Sequence, residues 1–236
     1  MRPAPHLQPA YVIHTRPYRE TSLLLEVLTA ESGRLGLVAQ GVRRPKSTLK
    51  ALLQPFRPLF MDWRGRGELA TLTVAESAGA AVALPGRRLW SGLYVNELIQ
   101  RLLPRRDPHP GLFIAYANAL AGLADADANS REEAVLRCFE RDLLEAIGYG
   151  LSLHRDPDGG APIEPEVQYF YRLDAGPCRE DDGCSPRVSG AALLALARSE
   201  LHDPGMLREI KRLMRIVLAP HLGDRPLKSR ALFSGR

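Results

Sequence analysis

The hydrophobic period of this chain changes near residue 80, and nothing else in the sequence restricts its fold as strongly. From Tyr11 to about Ser77 the period is two. Leu23, Leu25 and Val27 alternate with Leu24, Glu26 and Leu28, and Leu35, Leu37 and Ala39 form one face of the next run. Leu59, Met61 and Trp63 point opposite to Phe60 and Asp62, while Ala70, Leu72 and Val74 face away from Leu69, Thr71 and Thr73. Successive side chains of an extended strand point to opposite faces, so this alternation predicts strands. Glu31-Ser32-Gly33 and Arg64-Gly65-Arg66-Gly67 are glycine-bearing connections short enough for hairpins. Five short strands, several part-apolar on both faces, predict a small closed or half-closed barrel. The five-stranded OB-fold is the commonest such barrel, and oligonucleotides are among its ligands.

Beyond residue 80 the period becomes helical. Leu89, Leu93, Leu98 and Leu102 recur with Trp90, Tyr94, Val95 and Ile99 around them, a broad apolar face. Phe113, Tyr116, Leu120 and Leu123 predict a second helix. Ser130 with Glu133 reads as a capping box for a third, stopped after Ile147 by Gly148, with Val135, Cys138, Phe139, Leu143 and Ile147 as its buried stripe. Ser189 can cap a short helix through Leu196. Asp203-Pro204 opens a last helix running to Pro220, with Leu207, Ile210, Met214 and Val217 inward. Residues 150–188 are rich in Pro, Gly and Asp around one strand-like run, Val167–Leu173. The expected architecture is therefore α+β: an OB-fold over residues 1–80, then a helical domain over 81–236 with a small β-containing insert at about 150–188. No internal repeat or low-complexity tract is present.

Charge narrows the function classes. Residues 1–80 hold 11 Lys and Arg against 6 Asp and Glu, residues 81–204 hold 13 against 19, and residues 205–236 hold 8 against 2. Two basic ends enclosing an acidic middle suit a polyanionic partner, although a solvated basic surface gives the same counts. The densest stretch runs from Arg34 to Arg66, with eight basic side chains and one acid, Asp62. Its knot is Gly41-Val-Arg-Arg-Pro-Lys-Ser-Thr-Leu-Lys50, where glycine and proline exclude a regular element and place the cations on a loop. No apolar stretch approaches the roughly 18 residues of a membrane span. Met1–Pro9 lacks the apolar core of a signal peptide. Three cysteines, an odd and sparse set, fit a reducing cytoplasm. A soluble cytoplasmic protein is expected.

Catalytic patterns are absent. There is no G-x-x-x-x-G-K-[ST] phosphate loop, no dinucleotide fingerprint and no G-x-S-x-G elbow. The six histidines are scattered, with no pair at metal-binding helical spacing. Asp156 with Asp158, or Asp181 with Asp182, has the composition of a metal-dependent nuclease site, but both pairs sit among Gly and Pro and read as solvated turns. Cys178 and Cys184 are spaced C-x₅-C with no second close pair, whereas structural zinc takes four ligands. No metal, cofactor or catalytic residue is assigned, and no bond-breaking activity is expected.

Binding chemistry remains. A single-strand binder combines a cationic groove with aromatic faces for stacked bases. The candidate contacts are Arg34, Arg43, Arg44, Lys46, Lys50, Arg64 and Arg66, joined by Arg208, Lys211, Arg212 and Arg215 on the last helix. Tyr18, Phe56, Phe60 and Trp63 are the aromatic candidates, and Trp63 is preferred because it adjoins a hairpin tip. For Phe56, Phe60 and Trp63 the competing expectation is ordinary barrel core. An RNA-binding OB-fold module fits charge and barrel as well as a DNA-binding one does.

The order of segments resembles the bacterial recombination mediator RecO family. The resemblance is carried by Tyr11-Val-Ile-His-Thr-Arg-Pro-Tyr-Arg-Glu-Thr-Ser-Leu23, Thr29-Ala-Glu-Ser-Gly-Arg-Leu35, the 41–50 knot and Leu53-Gln-Pro-Phe56. It continues through Ser91-Gly-Leu-Tyr-Val-Asn-Glu-Leu98, Leu144-Glu-Ala-Ile-Gly-Tyr-Gly150 and Lys228-Ser-Arg-Ala-Leu-Phe233. The family resemblance implies an N-terminal OB-fold, a helical domain and an insert that binds zinc in some relatives. This chain lacks the two Cys pairs, so the insert is a degenerate zinc-finger-like region. The resemblance further implies binding of single- and double-stranded DNA, annealing of complementary strands and, with RecR, help to RecA in replacing the single-stranded-DNA-binding protein, in the nucleoid-associated cytoplasm. Such proteins also recognise the acidic, hydrophobic C-terminal tail of the single-stranded-DNA-binding protein. Leu102 and Leu103 with Arg137 are the candidates for that contact, a pocket edged by a cation.

Overall fold

The alternation in the first third of the chain resolves into five strands in the computed structural model, which describes residues 6–126, 129–157, 159–181, 183 and 185–234, with backbone alone at 129, 130 and 234. They are β1 (Gln8–Tyr18), β2 (Ser22–Thr29), β3 (Gly33–Ala39), β4 (Leu59–Arg64) and β5 (Leu69–Ser77). They close into a barrel in the order β1-β2-β3-β5-β4. The closure is parallel and short, pairing Gly36, Leu37 and Val38 of β3 with Leu69, Ala70 and Thr71 of β5. This is the OB-fold topology expected from the sequence. Val12, Leu25, Val27, Leu35, Leu37, Leu59 and Met61 fill the interior, each worth about 1.5–3 kcal/mol of apolar burial. A one-turn helix, α1 (Leu49–Leu52), lies in the β3–β4 connection. It is too short to show a period, and its first two residues replace the end of the loop expected over 41–50.

The outer face of β1 and β2 is also buried. Tyr11 pairs with Leu28 across the two strands. Its ring packs against Phe113 at 5.5 Å and Tyr116 at 5.0 Å between centroids. Those rings belong to α3 (Pro110–Asp125), which follows α2 (Arg87–Leu102). A bulge shifts the β1 register between Val12 and His14, freeing the Ile13 carbonyl. The buried Asn96 amide of α2 donates to it at 3.0 Å, and the Tyr116 hydroxyl donates to Asn96 Oδ1 at 2.8 Å. A buried carbonyl left without a donor is costly, so this relay ties α2 and α3 to the bulge.

Contacts divide the chain into two compact units. One comprises the barrel, α2, α3 and the segment from Leu227 onward; the other is Asp125–Pro226. The returning segment forms α7 (Lys228–Ser234). Its Phe233 ring meets Trp90 of α2 edge-on at 5.7 Å. Glu97 of α2 supplies its N-terminal cap, accepting from the amides of Lys228 and Ser229 at 2.8 Å and from the Ser229 hydroxyl at 2.7 Å.

The second unit contains α4 (Asn129–Ala146), the strands β6 (Gln168–Arg172), β7 (Gly176–Cys178) and β8 (Arg187–Ser189), then α5 (Gly190–Arg198) and α6 (Pro204–Leu222). The strands form a sheet in the order β7-β6-β8, so the insert holds more strand than the single run read from sequence. The expected caps of α5 and α6 are present: Ser189 accepts from the Ala192 amide and Asp203 from the Met206 amide. Ser130, Asp158, Asp182 and Cys184 lie outside the described residues, by side chain or altogether. No helix among the described residues is long and apolar enough to cross a membrane.

Candidate nucleic-acid interface

The 41–50 knot forms two successive turns rather than a free loop. Gly41 takes φ +71°, a left-handed conformation that costs glycine little, and the Arg44 amide closes back on the Gly41 carbonyl. The Ser47 amide bonds Arg44 in turn. Arg43 fastens this loop to the β1–β2 hairpin: its amide donates to the Thr21 carbonyl at 2.9 Å and its guanidinium to the Arg19 carbonyl at 3.2 Å. Arg43, Arg44, Lys46 and Lys50 are all exposed. The hairpin brings two further exposed cations, Arg16 and Arg19, the latter 5.2 Å from the centroid of the half-buried Tyr18 ring. Sequence reasoning missed Arg16 and Arg19. The strand register that carries them beside the knot is a through-space relation, although the β-period of 11–23 was the available signal.

Arg64 and Arg66 are exposed at the β4–β5 hairpin. Trp63 is half-buried. It pairs with Leu72, and both side chains pack against the barrel interior. Phe56 is buried, whereas Phe60 on β4 is 39% exposed. On α6, Arg208, Arg212 and Arg215 are exposed at spacings of four and three and so share one stripe of the helix. Lys211, three residues after Arg208 and four before Arg215, lies at the edge of the same stripe, but it is half-buried and pairs with Glu133.

Arg34 departs most from its expected role. Its side chain is 13% exposed, with Nη1 donating to Glu26 at 2.8 Å and Nε to the Leu103 carbonyl at 2.8 Å. Burial pushes its pKa below the ordinary guanidinium value, against the opposing pull of Glu26. Arg105 binds the other Glu26 oxygen. One nearly buried carboxylate thus holds two guanidiniums, an arrangement that fixes geometry more than it adds stability. The segment after α2 runs beside β3: Arg34 and Arg105 form a parallel bridge, and the Arg106 amide donates to the Arg34 carbonyl at 2.9 Å. It borders the part of β3 that β5 leaves unpaired. Two glycines make room for it. A Cβ on Gly33 would stand 2.2 Å from the Asp107 carbonyl oxygen, and one on Gly36 would crowd Leu69 and the Arg105 guanidinium.

The tail-binding candidates are also placed differently from expectation. Leu103 is 1% exposed because its segment turns onto β3, and Arg137 is 8% exposed with its guanidinium on Glu140 at 2.8 Å. Leu102 is half-buried. Neither Leu103 nor Arg137 presents the accessible surface that a docked peptide requires. Cys178 is fully buried in β7.

A closed five-stranded barrel with exposed cations on its connecting loops defines an oligonucleotide- or oligosaccharide-binding fold. Residues 1–81 match the family Recombination protein O N terminal, and residues 86–231 match Recombination protein O C terminal. The chain belongs to the recombination protein O family. It is 53% identical to DNA repair protein RecO of Nitrosococcus oceani, over 96% of this chain and 92% of that one. It is 50% identical to the protein of that name in Methylococcus capsulatus, over 96% and 92%. To that of Dechloromonas aromatica it is 45% identical, over 96% and 94%.

Proposed function

We propose that this protein is a non-catalytic mediator of DNA repair and recombination. It binds single- and double-stranded DNA and anneals complementary strands. With RecR it helps RecA load onto DNA covered by the single-stranded-DNA-binding protein, whose tail it also recognises, in the nucleoid-associated cytoplasm. The observation that carries this reading is the exposed cationic cluster at one barrel end, Arg16, Arg19, Arg43, Arg44 and Lys46, on an OB-fold in a member of this family.

Annealing brings two polyanions together, and cations that neutralise phosphate on both strands lower that repulsion. The barrel cluster, extended by Lys50, Arg64 and Arg66, serves one strand. The α6 stripe of Arg208, Arg212 and Arg215 supplies cations in the second unit, for the other strand or for a continuation of the first. Contacts of this kind go to phosphates and carry little sequence information.

The test incubates labelled complementary DNA strands with the protein, with and without magnesium, across a salt titration. Annealing without cleavage, weakening steeply with salt, is expected. Magnesium-dependent cleavage would replace the mediator with a nuclease, and preferential binding of RNA without annealing would replace it with an RNA-binding module. Reversing Arg43, Arg44 and Lys46 to Glu should abolish annealing while the fold survives.

A further inference from the structure

The Glu26 cluster is linked to the β4–β5 hairpin through the segment that follows α2. Glu26 holds Arg105, and the next residue, Arg106, reaches the other way, its guanidinium donating to the Gly67 carbonyl. Gly67 sits in the β4–β5 connection between Arg66 and Leu69. A continuous series of bonds therefore runs from β2, through Glu26 to Arg105 and Arg106, into the hairpin that carries Arg64 and Arg66. Both ends are anchored: the Arg106 amide is bonded to β3 and the Leu103 carbonyl to Arg34. A Cβ on Gly67 would meet nothing within 4 Å among the described residues.

We propose that Glu26 is a positioning residue for nucleic-acid binding: through Arg105 and Arg106 it latches the β4–β5 hairpin and holds Arg64 and Arg66 where they meet phosphate. This rests on the proposed DNA contact by that hairpin. Arg34 and Arg105 are thereby assigned to the latch. Preordered cations lose less conformational freedom on binding than cations on a loose hairpin.

Charge counting and the latch predict opposite signs for Glu26→Gln. Removing an acid near a cationic face should strengthen DNA binding if only net charge matters. Under the latch it weakens binding. If both hairpin contacts are lost, the plot of log affinity against log salt for single-stranded DNA becomes shallower by about 1.4, and affinity at 0.1 M salt falls by up to roughly 25-fold. Arg106→Lys, at an exposed position and with charge retained, should act in the same direction because an ammonium lacks the fork that reaches Gly67. The direct readout is the anisotropy of Trp63 fluorescence without DNA, taken in a Trp90→Phe background because the chain has two tryptophans. It should fall in both variants. Unchanged anisotropy, an unchanged salt slope or tighter binding in the folded variants overturns the latch; if Glu26→Gln does not fold, Arg106→Lys decides by the same measures. Should the parent itself not bind DNA, the proposed function fails and the Trp63 anisotropy alone judges the latch.

Discussion

Replacing Glu97 with Ala should release the C-terminal helix. Glu97 accepts three hydrogen bonds at the start of α7, two from backbone amides and one from the Ser229 hydroxyl. Those amides are among the donors a helix cannot satisfy internally. Deleting a capping side chain costs about 0.5–2 kcal/mol. Here Ser229 is 4% exposed, so its amide and hydroxyl would stay buried and unpaired until the helix lifts away, which puts the cost near the top of that range. At about 2 kcal/mol, exchange of the Lys228 and Ser229 amides should quicken roughly 30-fold. Hydrogen–deuterium exchange of the intact chain measures this, and Trp90 emission should shift as Phe233 leaves it. The pH dependence adds a sign. Burial pushes the Glu97 carboxyl up, but the bonds from Ser229 and Lys228 and the charge of Arg101 outweigh it, leaving a net downward shift from 4.5. A lowered folded-state value means the stabilisation is present above the unfolded value and is lost as pH falls through the folded one. The difference between parent and Glu97→Ala should therefore be level near neutrality and shrink below about pH 4.5. Unchanged Ser229 exchange, or a difference that grows on acidification, refutes the assignment.

Tyr116→Phe deletes the donor to Asn96 in a fully buried relay and should cost about 1–3 kcal/mol in chemical denaturation. Burial raises the Tyr116 pKa far above its ordinary value, so no phenolate titration from this residue should appear in the native protein below strongly alkaline pH. On α6, Arg212→Gln should weaken DNA binding and lower the salt slope, whereas Lys211→Gln should do so less, because Lys211 is already paired with Glu133. Equal effects of the two would show that the exposed stripe is not the contact surface.

What was legible in the sequence is what local periodicity encodes. The alternation at Leu23–Leu28 and Leu35–Ala39, and the caps at Ser189 and Asp203, depend on near neighbours and survive into the structure. Roles that depend on what lies across the fold were not legible. Arg34 has the same composition signal as Arg44, yet a carboxylate eight residues earlier in sequence and diagonal to it across the β2–β3 ladder draws it inward. Leu103 looked like the end of an exposed helix face, but the chain turns there and the side chain enters the core. Arg16 and Arg19 join the cationic cluster only because Arg43 bonds the neighbouring hairpin. In each case a contact across the fold decides, and residue type alone carries no record of it.

The change of period near residue 80 marks a change of secondary structure, and it is a poor place to cut. Tyr11, Ile13 and Leu28 are 8%, 3% and 2% exposed in the intact chain, and the rings against Tyr11 come from α3. Ending the chain at residue 80 removes α2, α3 and α7 together. It also removes Asn96, leaving the Ile13 carbonyl at the bulge without its donor. At about 1.5–3 kcal/mol for each apolar side chain returned to water, the three cost roughly 5–9 kcal/mol. That is comparable to the whole stability of a small domain, about 5–15 kcal/mol. A fragment of residues 1–80 should therefore lack a cooperative thermal transition and bind a hydrophobic dye, despite a complete set of barrel strands. A measured loss of DNA affinity in such a fragment would report unfolding and could not assign the interface. If the fragment instead melts cooperatively within a few degrees of the full chain, the helices are an accessory layer and the barrel stands alone.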